Sequence, residues 1–547
     1  MTFQISSFTN AKNILNDPWF ISITSFFIGF IISKLYKYIK HSFWDKKIQK
    51  NKIENSIKEA NNLYESDNYE LSLEKYDKTL EIFNKKDFPE LYGIIQRGIG
   101  NCYLSLAQIN KNEQLLKLAI TYFNYALIVF DEKKQILDKG LFSCKYKYPL
   151  QFAITKTNFA VAYAGLSNIR NKKENLEKAI SACKDSLKIY NLNEIPEKYA
   201  LAMNNLGTYY SRLAEIIDRE KNMTKAISCF EEALKFYDEI NYPYNHSSTL
   251  MNIATSHIIL SKVSNKLENI LIAIDKYKRA LKIIDIEKDK SKLYASGQDG
   301  LANAYVELAN LQDTEENIRK AISAHDEALK FTPDHELEEI ARIKDNMGLA
   351  YQSLAKFKDG KENLREATKL YIESLKIRTI IDYPLDYAHT QIHLGTALGE
   401  LANFEDSENA KENLLNKSIE CFNEAHKIYS QQKYPDKYLS INNHLATSHI
   451  NLSNISDKKK NIEESIKFSN IVTSSTNPMD NLFIYSKAAL NLGIAYANLA
   501  QIEDKEGNYR KAELYFEEVI KLLENENTND YNLAKHYLEK LQSMKAS

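Results

Sequence analysis

Two asparagine series and a group of histidines are the residues with chemistry to offer in this 547-residue chain. Asn158, Asn205, Asn252, Asn346 and Asn491 recur at one register, and His393 and His444 hold that register between the last two. A primary amide carries both a donor and an acceptor. A row of amides can therefore pair with the peptide units of an extended chain whatever its side chains. Asn is a poor helix former, so its return at a mid-helix position asks for a reason. One reason is a bound peptide; the other is that the amides bond to neighbouring helices and merely line the surface. The second series, Asn175, Asn222, Asn269, Asn317, Asn363, Asn461 and Asn508, is expected at helix N-caps, where the side chain accepts from first-turn N–H groups.

His389 and His393 lie four apart, with His444 further on. Metal-site histidines use that spacing, but no Glu follows His389 as in HExxH, so a polar patch is the expected reading. His449 is read as a satisfied core histidine. No Walker loop, GxSxG elbow or GxGxxG turn occurs. The sequence therefore assigns no catalytic residue, no metal and no cofactor. Five cysteines form no CxxC pair, which excludes a disulfide scaffold and suits a reducing compartment. Cys229 and Cys421 read as small apolar packing.

These residues must be positioned by long helices. Only 15 Gly and 9 Pro occur, a scarcity that argues against a many-turned β-protein, and no strand is expected. A small residue followed six positions later by Leu recurs nine times, at Gly100, Ala160, Gly207, Ala254, Ala302, Gly348, Gly395, Ala446 and Gly493. Successive spacings are 60, 47, 47, 48, 46, 47, 51 and 47. Each period reads as two helices. In the Gly207 unit, Met203, Leu206, Tyr210 and Leu213 form one apolar stripe, and Met223, Ala226, Ile227, Phe230, Ala233, Leu234 and Tyr237 form a second. A single pair cannot bury its stripe, so the pairs must stack. Residues 133–156 account for the spacing of 60, as an elongated helix or an ordered loop.

Leu206, Gly207 and Tyr210, then Ala226, Phe230 and Ala233, resemble the tetratricopeptide consensus. Residues 51–85 resemble a standard-length copy, with Ala60, Tyr64, Ser72, Tyr76 and Thr79 in place. The later, longer units are similar to the lengthened repeats beside CHAT-type peptidase domains and in kinesin light chains. The resemblance implies an all-α chain, a right-handed α-α superhelix of about ten hairpins over 51–527, closed by a capping helix at 528–547. It also places the register of Asn158 on the concave groove, where several members of the family grip a ligand backbone. The adjoining position is mostly uncharged (Thr157, Asn204, Met251, Ile392, Asn443), unlike receptors that clamp a terminal carboxylate.

Residues 18–33 carry no charge, and extension to Tyr36 admits only Lys34. Nineteen helical residues rise about 28 Å, near the thickness of a hydrocarbon core. A single-pass anchor over 18–36 is expected, with a short outer N-terminus (1–17) and a basic juxtamembrane segment (37–50). A cleaved signal or a buried or surface helix are the alternatives. The lysines that follow the stretch put the array on the cytoplasmic side. Lys plus Arg number 72 and Asp plus Glu 73, giving net charge -1. That leaves no basic excess for nucleic acid, and the 35 Tyr and 23 Phe recur at repeat spacing, as core residues do. The expectation is a membrane-held scaffold for a protein or peptide ligand, with no small-molecule substrate. The alternative is a regulatory or sensor subunit whose catalytic chain is separate.

Overall fold

The computed structural model describes the backbone of residues 18–81, 85–131, 133–138, 141–284, 291–524, 526 and 528–546. Within these, the side chains of 18–27, 38–43, 133–146, 291 and 544–546 are not described. The expected outer segment 1–17 lies outside the described residues. The chain forms two compact units, residues 1–236 and 237–547.

The first unit pairs α1 (Pro18–Glu65) with α2 (Tyr69–Glu81), α3 (Pro89–Asn110) with α4 (Glu113–Phe130), α5 (Pro149–Leu166) with α6 (Lys172–Leu187), and α7 (Pro196–Ala214) with α8 (Arg219–Leu234). The second unit pairs α9 (Pro243–Leu260) with α10 (Lys266–Ile283), α11 (Ser291–Ala309) with α12 (Thr314–Phe331), and α13 (Leu337–Leu354) with α14 (Gly360–Leu375). It continues with α15 (Pro384–Ala402) and α16 (Glu408–His426), α17 (Pro435–Ser453) and α18 (Lys458–Ser475), and α19 (Leu482–Leu499) and α20 (Lys505–Leu522). Helix α21 (Asn529–Ala546) follows, burying Ala534 and Leu541 beside Phe516. In each hairpin we call the first helix A and the second B.

Five hairpins close on a size match. At Gly100, Gly207, Gly348, Gly395 and Gly493 of the A helices, an added Cβ would lie within 3 Å of a ring on the same hairpin's B helix: Phe123, Phe230, Tyr371, Phe422 and Phe516. The missing methyl is the space the ring occupies. Where Ala stands at that register, the residue 23 positions on is Cys183, His325 or Ser469. Tyr277 is the exception, and its room comes from the following A helix, where a Cβ at Gly300 would meet the ring at 2.5 Å. Gly98 makes the same room for Tyr76.

The turn inside each hairpin is built on a left-handed residue. Asn171, Asp218, Asn265, Asp313, Asp359, Asp457 and Asp504 have φ between 41° and 47°, a conformation that Asn and Asp tolerate better than other L-residues. They are the N-caps of their B helices. The expected caps, Asn175 and its six equivalents, sit four residues further in. Each donates through Nδ2 to the carbonyl five residues back, at 2.7–2.9 Å. The series therefore satisfies orphan carbonyls where helix A ends, and accepts nothing from the start of helix B.

One further expectation is corrected. The 133–156 segment is neither elongated helix nor loop. Strands β1 (Lys133–Asp138) and β2 (Leu141–Tyr146) pair antiparallel, and 149–156 already belong to α5. The alternating lysines and short apolar runs of the segment show no clean period. The residues of the expected anchor (18–36) and juxtamembrane segment (37–50) lie on one helix: α1 runs unbroken from Pro18 to Glu65, about 72 Å. Among the described residues, no helix is long and apolar enough to cross a membrane.

The size match gives a direct test. Gly493→Ala should cost about 1–3 kcal/mol by driving a methyl into Phe516, read as a lowered urea midpoint. An unchanged midpoint would show that the ring has slack.

Candidate functional site

The register of Asn158 runs along contacts between successive A helices, and its members are spent differently. In the first unit, Asn158 Nδ2 donates to Asn101 Oδ1 at 2.8 Å. Asn205 is half-buried and has no hydrogen-bond partner among the described residues. In the second unit, Asn491 is buried, and Thr447 Oγ1 donates to its Oδ1. His393 Nδ1 lies 3.2 Å from the Asp345 carboxylate, and His444 stacks on Phe422 with centroids 5.0 Å apart. Asn252 is half-buried and engaged with a neighbour. Asn346 is half-buried with no hydrogen-bond partner among the described residues.

The three imidazoles do not converge. His389 and His393 lie 4.5 Å apart between centroids, but His444 turns to its Phe422 stack. Among the described residues, no group of three or more His, Cys, Asp or Glu is placed to hold a metal ion. Partial burial, then the charges of His393 and Lys437, pushes His389 down to about 4. Burial, then Lys487, does the same to His444, also to about 4. Both are neutral rings at physiological pH, able to donate at one nitrogen and accept at the other. His449 is satisfied as expected: its Nδ1 is 2.9 Å from Asn461 Oδ1. Cys102, Cys183, Cys229 and Cys421 are free and buried, and burial pushes the Cys229 thiol up to about 11.

A buried ionic layer lies beneath this register, and the sequence reading did not include it. Asp299 is 2.8 Å from Arg342 and 3.2 Å from His325. One repeat on, Asp345 meets His393 and, at 3.7 Å, Arg378, which also bonds Glu338 at 3.0 Å. Burial works against ionising Asp299, but His325 and Arg342 outweigh it and hold the carboxyl below its usual range. Asp299 and Asp345 occupy the position adjoining the ladder, 46 residues apart. Two acids spaced by one repeat, at a position otherwise uncharged except for Arg97, were the available signal.

Residues 494–525 match the tetratricopeptide repeat family model. This segment is a tetratricopeptide repeat. No curated protein matches the chain. Among solved structures, it is similar to the apo form of RapI at 15% identity, over 79% of this chain and 99% of that one, with TM-score 0.41. It is similar to yeast Tom70 at 14% identity, over 91% and 97%, with TM-score 0.31. A third similarity, at 14% identity over 60% and 98% with TM-score 0.35, is to the C-terminal part of a TPR repeat-containing protein from Cytophaga hutchinsonii. The repeat match and the stacked hairpins carry the assignment; these alignments add no argument to it.

The neutral His444 gives a pH prediction with a fixed sign. Its folded pKa of about 4 lies below the free value of about 6.5, so the unfolded chain binds the proton more readily. Stability is full above pH 6.5 and falls as pH drops toward 4, by about 2 kcal/mol at pH 5 for this group. His444→Phe keeps a ring on Phe422 and should remove that part of the acid loss, read from urea melts at pH 7.5 and 5. An equal acid loss in the variant would mean that His444 already protonates freely.

Proposed function

We propose that this tetratricopeptide array is a non-catalytic scaffold, held at a membrane by α1, that binds a protein partner through an extended segment laid on the A helices. The observation that carries the peptide reading is an unspent amide in each unit, Asn205 in the first and Asn346 in the second. Each costs several tenths of a kcal/mol relative to Ala in mid-helix, and neither recovers that cost by bonding to a described residue. An amide left open on the A-helix surface can pair with one peptide unit, and the imidazole of His393 offers further donor or acceptor capacity nearby. Asn158 and Asn491 act in this reading as inter-helix ties that hold the surface in register.

The membrane reading rests on α1. Residues 28–37 are exposed along their whole length, with Ile28, Phe30, Ile31, Ile32, Leu35 and Tyr36 each between 51% and 65% exposed. An apolar helix bare on every side in water loses roughly 25 cal/mol for each Å² it fails to bury. Lipid is the solvent that removes the cost, and the lysines beyond Tyr36 favour the cytoplasmic side for the array.

Two experiments test these readings. A partner captured by the full chain should be lost from Asn205→Ala/Asn346→Ala and kept by Asn158→Ala, with circular dichroism confirming that all are folded. Equal capture by all three would assign the whole ladder to helix packing. The full chain should pellet with membranes after an alkaline carbonate wash; its recovery in the soluble fraction would sink the anchor.

A further inference from the structure

We propose that the outer edge of β2 takes up an extended, acidic segment of a protein partner as a third, antiparallel strand. This surface is separate from the amides of the A helices and stands whether or not they bind a peptide. The joint that holds the strand pair is longer than stacking requires. Between a B helix and the next A helix the chain spends residues 188–195 after α6 and 235–242 after α8. After α4 it spends 131–148, and the surplus is the strand pair. Connections of that length in compact folds commonly carry function.

The backbone shows what the pair lacks. β1 and β2 form a sheet of two strands, and no third strand joins it among the described residues. Beyond their mutual pairing the strands meet the start of α5. A two-stranded ribbon alone is marginal in water, and a third strand stabilises it. Asp138 pairs with Leu141 across two residues, so this closing pair exchanges both of its hydrogen bonds. Alternation gives the other mutual bonds to Ile136 with Ser143 and Lys134 with Lys145. The backbone N–H and C=O groups of Phe142, Cys144 and Tyr146 face outward instead, as do those of Lys133, Gln135 and Leu137 on β1. Such a row is the template on which an extended peptide adds a strand.

Residue type and charge select the β2 edge and the chemistry of what joins it. Lysine on an edge strand guards it against pairing, and the open set of β1 includes Lys133. The open set of β2 is uncharged and includes Phe142 and Tyr146, types that favour strands. Asp131 and Glu132 precede β1 and Asp138 ends it, whereas no acid occurs from residue 139 to residue 173. That stretch holds seven bases, among them Lys145 within β2 and Lys147 just after it. A strand added about 5 Å from β2 lies within the Debye length, about 8 Å at physiological salt, of both. An antiparallel strand on this edge runs from beside Tyr146 to beside Leu141. Its N-terminal residues lie nearest Lys145 and Lys147, so the partner's acids belong at that end.

The probe is a fluorescein-labelled peptide of two glutamates followed by alternating valine and threonine, titrated with the full chain and read by anisotropy. It should bind about tenfold tighter than the same peptide with its glutamates moved to the C-terminal end or replaced by lysine. Methylating the backbone nitrogens along one edge of the peptide should abolish binding, while methylation along its other edge should spare it. Gln135 and Cys144 are direct cross-strand partners, so a proline at either disturbs the ribbon alike. Only Cys144→Pro removes a donor from the β2 edge. Cys144→Pro should lose the peptide and Gln135→Pro should keep it. Loss from both, or from neither, would overturn the assignment to that edge. Indifference to the place or sign of the charges would overturn the acidic, antiparallel partner. Equal effects of methylation on both edges would overturn strand addition. Binding should persist in Asn205→Ala/Asn346→Ala; its loss there would put the peptide on the A helices and remove this site.

Discussion

The packing of this chain depends on where the ring of a B helix can go. The rings of Phe123, Phe230, Tyr371, Phe422 and Phe516 need the space left by a glycine on their own A helix. That close approach brings the two backbones together, fixes which faces remain to stack, and sets the register of the next hairpin. Interiors are packed like crystals, so a single methyl at this contact matters. Gly98 and Gly300 show the same demand met from the following helix, for Tyr76 and Tyr277. The ring is thus gripped from two sides, and the register that carries Asn158 in one repeat carries glycine in another.

That explains why the asparagine ladder is not a uniform row. A residue at this position has a neighbouring ring, an adjoining A helix and the open surface all within reach. Glycine yields to the ring, His444 stacks on it, and Asn158 ties to the preceding A helix. His393 meets Asp345 over a buried ionic layer whose charges are paired. Removing one partner of such a layer leaves an uncompensated buried charge, which makes it a strong determinant of register and a poor place for a ligand to intrude. What is left open on the surface is the remainder: the amides that packing has not consumed.

Most of the helical architecture was legible because it repeats. A small residue and a leucine six apart, nine times over, need no structure to be read as stacked hairpins. The turns are legible only in part. Asn175 and its equivalents suggest caps because Asn caps helices, yet the chain reverses four residues earlier, at an Asn or Asp that recurs in the sequence as regularly. A side-chain amide both donates and accepts, so composition alone could not say which end of which helix it served. The strand pair was hidden for a different reason: it occurs once, and a repeat analysis averages single events away. At the candidate site, the ladder was legible but its division into spent and unspent amides was not, because that depends on neighbours from other repeats.

The two-sided grip on the ring also bears on how such a chain can grow or shrink. Tyr277 on α10 requires Gly300 on α11, so the two must be inherited together although they belong to different hairpins. A gene segment cut at hairpin boundaries carries each of the five glycine–ring pairs that lie within one hairpin intact. Cut after α2 or after α10, it leaves Tyr76 or Tyr277 against a new A helix that lacks the matching glycine. Hairpin boundaries are therefore not equivalent points of duplication, and shuffling experiments should be framed accordingly.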